Sequence, residues 1–182
     1  PMGMLLQGYT PPRPCTSVHD PVQLTVFAFS CGDKKAILAS ADLCNLRGPA
    51  SEDVRKALAR GANIPYEYCM VACTHTHSGP NTSIKSGWGD VDDTYIENIL
   101  KPGVQAAAQQ AKANLQDARM GIAEIDSQVG INRRQVEEDG SIILGQNPWG
   151  IRDPKMTVIS FVGNENKAIA NMIHYGCHGT AS

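Results

Sequence analysis

The alternation of apolar and polar positions predicts a series of short strands along this 182-residue chain. Residues 22–30 alternate in this way, the sequence Cys-Gly-Asp-Lys supplies a turn, and residues 35–41 form the returning strand. The first 21 residues are rich in proline and predict a loop. Further strands are expected at 68–74, 118–126, 156–162 and 167–174, with a hairpin over 136–144 that turns at Asp139-Gly140.

Two segments carry helix signals. Ser51 is a good N-cap, and the acidic residues after it predict a first helix that stops at Gly61. The acidic pair at 92–93 can cap a second helix over 94–115, which Pro102 should kink or split. Because strands and helices alternate early and strands dominate late, we expect an α/β fold with a mixed sheet and packed helices.

Net charge and cysteine spacing limit the partners and the cellular location that this chain is expected to have. The net charge is −2 with no block of like charges, so no nucleic-acid partner is expected. No apolar run approaches the ~18 residues of a transmembrane segment. No signal peptide is visible, although a targeting segment could precede Pro-Met-Gly. The six cysteines lack zinc-ribbon or redox spacing, so we expect mostly reduced thiols. Reduced thiols favour the cytoplasm, and a secreted or periplasmic location stays open.

The strongest chemical signal is Thr-His-Thr-His-Ser-Gly-Pro at residues 74–80. It follows an apolar strand, and the i, i+2 spacing of His75 and His77 would place both side chains on one strand face. Neutral imidazole is a preferred zinc ligand. The second histidine can ligate the same ion or move protons, and such a pair can also be two ordinary hydrogen-bonded histidines.

Other polar groups follow the ends of further strands. His178 is flanked by glycines that leave room for a metal or a substrate, whereas His174 is more typical of a core or edge histidine. Arg133 presents a rigid fork that suits an oxyanion, or a solvated turn. Asp42 can orient a metal-bound histidine from outside the ligand set, or it can cap the next turn.

These stretches together resemble the catalytic domain of the neutral (non-lysosomal) ceramidase family, in its N-terminal portion. The resemblance runs along nearly the whole chain, and residues 74–80 are its most specific element. It implies that residues 1–182 are the N-terminal portion of a single ceramidase-like zinc hydrolase domain. The matching segments, in the family's order, are residues 1–9, 18–21, 40–43, 74–80, 131–134, 153–157 and 178–180.

The resemblance also implies an activity and residue roles. The activity is hydrolysis of an N-acyl amide bond, with N-acylsphingosine giving a sphingoid base and a fatty acid. In the family the zinc also takes a glutamate and a tyrosine from beyond the position of Ser182, and Arg134 stands where better-known members have a small residue. The roles implied are His75 and His178 as Zn²⁺ ligands, His77 and Arg133 as groups that polarise the scissile carbonyl, and Ser78 and Asn132 as substrate contacts.

We therefore expect an incomplete site, with weak or absent zinc in these residues alone. A missing C-terminal part or a partner chain would supply a carboxylate and a tyrosine, and a homo-oligomer stays open. We expect His75, His77 and Arg133 to lie near one another around an open cleft, with apolar surface exposed. Two alternatives remain: a metal-dependent hydrolase of a non-lipid amide, cyclic amide or lactone, and a non-catalytic fragment or metal-binding module.

Overall fold

A computed structural model describes residues 2–84 and 87–179 of the chain. It divides into two compact units, Pro1–Leu115 and Gln116–Ser182. The main sheet of the first unit is mixed, and that of the second unit is antiparallel. All helices longer than one turn in the described residues belong to the first unit. The α/β fold class predicted from the sequence is confirmed.

The first unit is built on a three-stranded sheet in the order β3-β4-β5. Strands β3 (Leu24–Cys31) and β4 (Lys34–Ala41) form an antiparallel hairpin, and β5 (Cys69–Cys73) lies parallel to β4. These strands match the predicted ones within two residues at each end. In the proline-rich opening segment, β1 (Leu5–Leu6) and β2 (Arg13–Pro14) add a short antiparallel pair that the sequence pattern did not predict.

Helix α1 (Gly48–Ala62) connects β4 to β5 by way of a 3₁₀ turn at Tyr66–Tyr68. The prediction that Ser51 caps this helix is wrong, because the helix begins three residues earlier. Pro49 lies in its first turn, where the missing N–H of proline costs no hydrogen bond. The predicted end at Gly61 is confirmed within one residue, since Asn63 follows in the left-handed conformation.

The second helical segment begins at Asp92, whose carboxylate accepts a hydrogen bond from the Tyr95 N–H at 2.8 Å. It comprises α2 (Asp93–Tyr95), a π-helical turn (Ile96–Leu100) and α3 (Lys101–Ala113). Pro102 neither splits nor ends the helix, because it lies in the first turn of α3 and the π-helical turn accommodates it. The acidic cap was correctly predicted; the helix is not split at Pro102, and the alternative of a kink there stays a prediction.

Helices α1 and α3 pack on the same face of the sheet and bury a common core. Alternate residues of β4 point into that core, namely Ile37, Ala39 and Ala41, as a period of two requires. Gly61 allows the two helices to approach closely, because a Cβ atom there would collide with the backbone oxygen of Gln105. This core fixes the ends of β4 and β5, where the candidate site lies.

The second unit contains a three-stranded antiparallel sheet in the order β10-β9-β6, formed by β6 (Arg119–Asp126), β9 (Lys155–Val162) and β10 (Ala168–Tyr175). A separate hairpin pairs β7 (Asn132–Val136) with β8 (Ile142–Asn147). Strands β6, β9 and β10 and the hairpin turn at Asp139-Gly140 were predicted from the sequence, whereas β7 begins four residues before the predicted hairpin and overlaps it only at Val136. Large apolar side chains remain exposed on this unit, which agrees with the expectation of exposed apolar surface; they include Met120, Ile122, Ile125 and Ile173.

Among the described residues, no helix combines the length and the apolar character that crossing a bilayer requires.

Candidate functional site

The candidate site lies where the parallel strands β4 and β5 both end. Ala41 is the register partner of Cys73, so the residues that follow the two strands emerge side by side at one edge of the sheet. One continuation carries Asp42 and Cys44, and the other carries the Thr-His-Thr-His sequence. Carboxyl ends of parallel strands are the usual place for sites in α/β proteins.

The two histidines lie close together, but a shared strand face is not the reason. That part of the sequence reasoning is wrong. Strand β5 ends at Cys73, and His75 adopts a left-handed backbone with φ of 64°. A non-glycine residue in this conformation is uncommon and is typical of functional positions that the surrounding structure holds in place. The turn at His75 brings its side chain towards that of His77.

His75 and His77 face each other through their Nε2 atoms, which lie 3.2 Å apart. Their rings are nearly perpendicular, at 82°, with centroids 4.8 Å apart. On the other side of its ring, His75 directs Nδ1 at the backbone oxygen of Cys44, at 2.8 Å. Because a carbonyl oxygen can only accept, Nδ1 of His75 carries the proton and donates it. In a neutral ring the lone pair is then on Nε2, the atom that faces Nε2 of His77.

This geometry suits a metal ion. Two imidazole nitrogens that bind one tetrahedral zinc at ~2.0–2.1 Å lie about 3.3 Å apart, close to the observed separation of the Nε2 atoms. A hydrogen bond from Nδ1 to a backbone carbonyl is also the usual arrangement for a metal-binding histidine. Together with the Cys44 thiol, the ligand atoms of the two histidines lie within 4.8 Å of one another, so Cys44, His75 and His77 can hold a metal.

Cys44 was missed as a candidate from the sequence alone. It is 1% exposed, and its Sγ lies 3.5 Å from His75 Nδ1. The pattern placed the cysteines mostly among reduced, structural residues, and the structure assigns a disulfide to none of the six, all of which lie in its described part. The signal that would have found Cys44 is the parallel pairing of β4 with β5, which depends on tertiary structure.

The opening segment forms a wall beside His77. Tyr9 meets the His77 ring edge-on, with centroids 5.7 Å apart, and the Arg13 guanidinium lies 4.8 Å from the Tyr9 ring centroid. Gly8 has a φ of 100°, and a Cβ atom placed there would lie 2.5 Å from His77 Nδ1. His77 is therefore confined by the backbone of Gly8 on one side and by His75 on the other.

Asp42 joins three parts of the site edge. Its carboxylate accepts hydrogen bonds from the Gln23 N–H at 3.1 Å and from the Thr74 hydroxyl at 3.1 Å. The Thr76 hydroxyl is 2.8 Å from that of Thr74. Asp42 thus contacts Thr74 directly and Thr76 through it, and its predicted orienting role outside the ligand set stays a prediction. Ser78 is exposed in the turn that follows His77, and its predicted contact with substrate stays a prediction.

The other predicted residues belong to the second unit. Asn132 donates from Nδ2 to the Ile151 carbonyl at 2.8 Å and accepts from the Arg134 N–H at 2.8 Å, so both ends of its amide bind backbone. Those bonds hold the register shift in β7 that exposes Arg133. Bulges of this kind often redirect a side chain next to a site. The predicted roles of Asn132 and Arg133 stay predictions.

The histidines of the second unit differ in exposure. His174 is exposed in β10, whereas His178 is half-buried just beyond that strand, and its Nδ1 lies 3.0 Å from the Gly179 carbonyl oxygen. Its predicted role as a zinc ligand stays a prediction. Thr180, the last residue of the Cys-His-Gly-Thr motif, is outside the described residues.

Burial affects the cysteine thiols near the sheet edge. Desolvation raises the pKa of the Cys73 thiol, and it also raises the pKa of Cys69 against the opposing charge of Arg55. Both thiols therefore remain protonated at neutral pH. These two residues fit the structural role that was predicted for them.

Comparison with solved structures finds ceramidases. Neutral ceramidase from Pseudomonas aeruginosa matches with a TM-score of 0.71 and 19% identity, over 94% of this chain and 29% of that chain. A ceramidase complexed with C2 matches with a TM-score of 0.71 and 21% identity, over 94% of this chain and 28% of that chain. No family model and no curated protein matches the sequence. The chain therefore has the fold of part of a neutral ceramidase, as the resemblance in its motifs predicted.

Proposed function

We propose that this chain carries part of the active site of a zinc-dependent hydrolase that cleaves an N-acyl amide bond. The observation that carries the proposal is the orientation of His75, whose Nδ1 is bound to the Cys44 carbonyl so that its Nε2 is directed into the site beside His77. The ceramidase-like fold supports the choice of an amide as substrate. The coverage of those chains is 29% at most, so the activity of the whole protein belongs to the proposal.

His75 and His178 are the proposed protein ligands of the zinc. His75 offers Nε2, because its Nδ1 proton is engaged by a backbone carbonyl. The assignment of His178 rests on the resemblance alone. When bound, zinc supplies a Lewis acid that polarises the amide carbonyl and makes water a stronger nucleophile near neutral pH. A carboxylate and a tyrosine from elsewhere complete the ligand set in this proposal.

His77 and Arg133 are proposed to stabilise the oxyanion that develops as water attacks the carbonyl. His77 is suited to this because Gly8 and His75 hold its ring in one place, so little reorganisation is needed when charge develops. Arg133 brings a fixed positive fork, and its assignment rests on the resemblance. A proton then passes to the leaving amine, with His77 as its proposed carrier.

An apolar cleft of about 160 Å³ adjoins Asp42 in the first unit, smaller than the ~300–1,000 Å³ of typical ligand pockets. Its lining includes Val22, Leu24, Ile99 and Val104 beside the Asp42 side chain. Asp42 in turn contacts Thr74, the residue before His75. N-acylsphingosine is the proposed substrate because of the ceramidase-like fold and the motif resemblance, not because of this cleft, and cleavage of a small amide, cyclic amide or lactone is the competing outcome of the test.

The proposal is tested on the native polypeptide with a panel of substrates. We expect cleavage of N-acylsphingosine to exceed that of a soluble N-acyl amide, a cyclic amide and a lactone. A chelator should abolish the cleavage, and added Zn²⁺ should restore it. Preference for a soluble amide or a lactone would contradict the lipid substrate. If zinc-loaded protein cleaved none of these substrates, the proposed hydrolase function would be contradicted.

His77→Ala is expected to slow turnover without releasing the metal. Loss of one oxyanion donor typically lowers kcat by ~10²–10³-fold. The metal should remain, because in this proposal His77 binds the substrate rather than the ion. Zinc content and kcat are measured on the same preparation, with His19→Ala, an exposed histidine paired with Asp20, as the matched control. Loss of zinc from His77→Ala would show instead that His77 is a ligand.

A further inference from the structure

A group of fully buried polar side chains lies behind the histidine pair. Gln7 is 0% exposed and Thr82 is 1% exposed. Gln7 comes from the turn after β1 and Thr82 from the segment after the histidine motif, and both bind Asn45, the residue after Cys44. Buried polar groups must be hydrogen-bonded to be tolerated, so this group constrains the backbone on which it converges.

One peptide group connects these side chains with His75. The carbonyl of Cys44 and the N–H of Asn45 belong to the same planar unit and point in opposite directions. The carbonyl oxygen accepts the Nδ1 proton of His75 at 2.8 Å, and the N–H donates to Gln7 Oε1 at 3.4 Å. A rotation of this plane that loses one bond therefore also misdirects the other.

Further bonds fix both sides of Asn45. Gln7 donates from Nε2 to the Asn45 side-chain oxygen at 3.0 Å. The Thr82 hydroxyl lies 2.8 Å from the Asn45 carbonyl oxygen and 3.2 Å from Gln7 Oε1. These bonds share Asn45 and the Gln7 side chain, and the single Thr82 hydroxyl proton is shared between two acceptors, so each bond depends on the geometry of the others.

We propose that Gln7 and Thr82 are positioning residues for the histidine pair. They hold the Cys44–Asn45 peptide group so that its carbonyl binds Nδ1 of His75 and leaves Nε2 directed at His77. Neither side chain touches the reacting atoms. This inference rests on the proposed metal-dependent function, in which Nε2 of His75 is a ligand.

The test uses Co²⁺ in place of zinc in the native polypeptide, because its visible spectrum reports the coordination geometry. Loss of an outer hydrogen bond around a metal ligand typically weakens metal binding by ~10–100-fold. Thr82→Val removes the hydroxyl with little change of shape, so we expect it to weaken Co²⁺ binding about tenfold or more and to alter the spectrum. Thr82→Ser restores the hydroxyl and should restore both.

Asn81→Ala is the matched control for a general loss of stability. Asn81 is also 0% exposed, and its side chain binds a different set of groups: its nitrogen donates to the Gly89 and Asp90 carbonyls, and its oxygen accepts from the Ser83 N–H at 3.4 Å. We expect it to lower the melting temperature and leave Co²⁺ affinity unchanged. If Thr82→Val lacks the far-ultraviolet circular dichroism of the folded protein, Gln7→Met provides a second test. Methionine has a similar length but cannot bind the Cys44–Asn45 peptide group as Gln7 does.

The outcomes separate this inference from the proposed function. Wild-type Co²⁺ affinity and spectrum in folded Thr82→Val, or in folded Gln7→Met, would overturn the positioning role while leaving the metal site intact. Equal weakening of Co²⁺ binding by Asn81→Ala would also overturn the positioning role, because a general loosening of the segment would then explain the lower affinity. A wild-type protein that binds no Co²⁺ would instead refute the metal-dependent function.

Discussion

His75→Ala is expected to leave the native polypeptide without bound zinc and without hydrolase activity. In the proposed site Nε2 of this residue is a direct ligand, and its Nδ1 is already held by the Cys44 carbonyl at 2.8 Å. Removal of a ligand should lower the metal affinity by more than the ~10–100-fold that is lost when only an outer hydrogen bond is removed. Metal content by mass spectrometry and cleavage of N-acylsphingosine provide the two measurements.

The controls for this variant test which other groups hold the ion. His174→Ala removes an exposed histidine of β10 and should keep full zinc. Cys44→Ser should also keep it, because the proposed ligand of His75 is Nε2, whereas Sγ of Cys44 lies 3.5 Å from the protonated Nδ1. Zinc retained in His75→Ala would refute the ligand assignment. Zinc lost from Cys44→Ser would place the thiol among the ligands, contrary to the expectation that no cysteine binds it.

The strands could be predicted because their signals are local. The alternation in β3 and β4 and the turn between them lie within about twenty consecutive residues, and the same holds for β9 and β10. The helix start was harder, since Ser51 and the Gly48-Pro49 pair are both acceptable first-turn signals and packing decided between them. Local patterns therefore gave the elements, with errors at some of their ends.

The site was predicted only as far as its residues lie together in the chain. His75 and His77 were found from a motif, but the left-handed backbone at His75 that brings their Nε2 atoms together has no signature in the residue type. Cys44 and Gln7 were missed for another reason. Their importance comes from the parallel pairing of β4 with β5 and from burial, neither of which can be read from a single polar residue or cysteine.

Gly8→Ala is expected to displace the His77 ring and to lower kcat by about as much as His77→Ala, ~10²-fold or more. The new Cβ would lie 2.5 Å from Nδ1, 2.7 Å from Cε1 and 2.9 Å from Cγ of that ring. Real Cβ contacts are longer, so the ring must turn away from its position beside His75. Zinc should remain bound, because the Cys44 carbonyl still holds the other histidine.

Gly3→Ala is the control that distinguishes the clash with the His77 ring from the backbone strain of an alanine at positive φ. Gly3 has a φ of 83° against 100° at Gly8, so alanine is strained at both positions, and each variant should lose stability by ~1–2 kcal/mol. A Cβ at Gly3 has no atom of the neighbouring structure within 4 Å, so Gly3→Ala should keep the kcat of the wild type. Thermal melts and kcat for the two variants therefore give a direct comparison. Similar melting temperatures with unequal kcat would assign the loss to the His77 ring, whereas equal kcat would mean that the ring position beside Gly8 does not matter for hydrolysis.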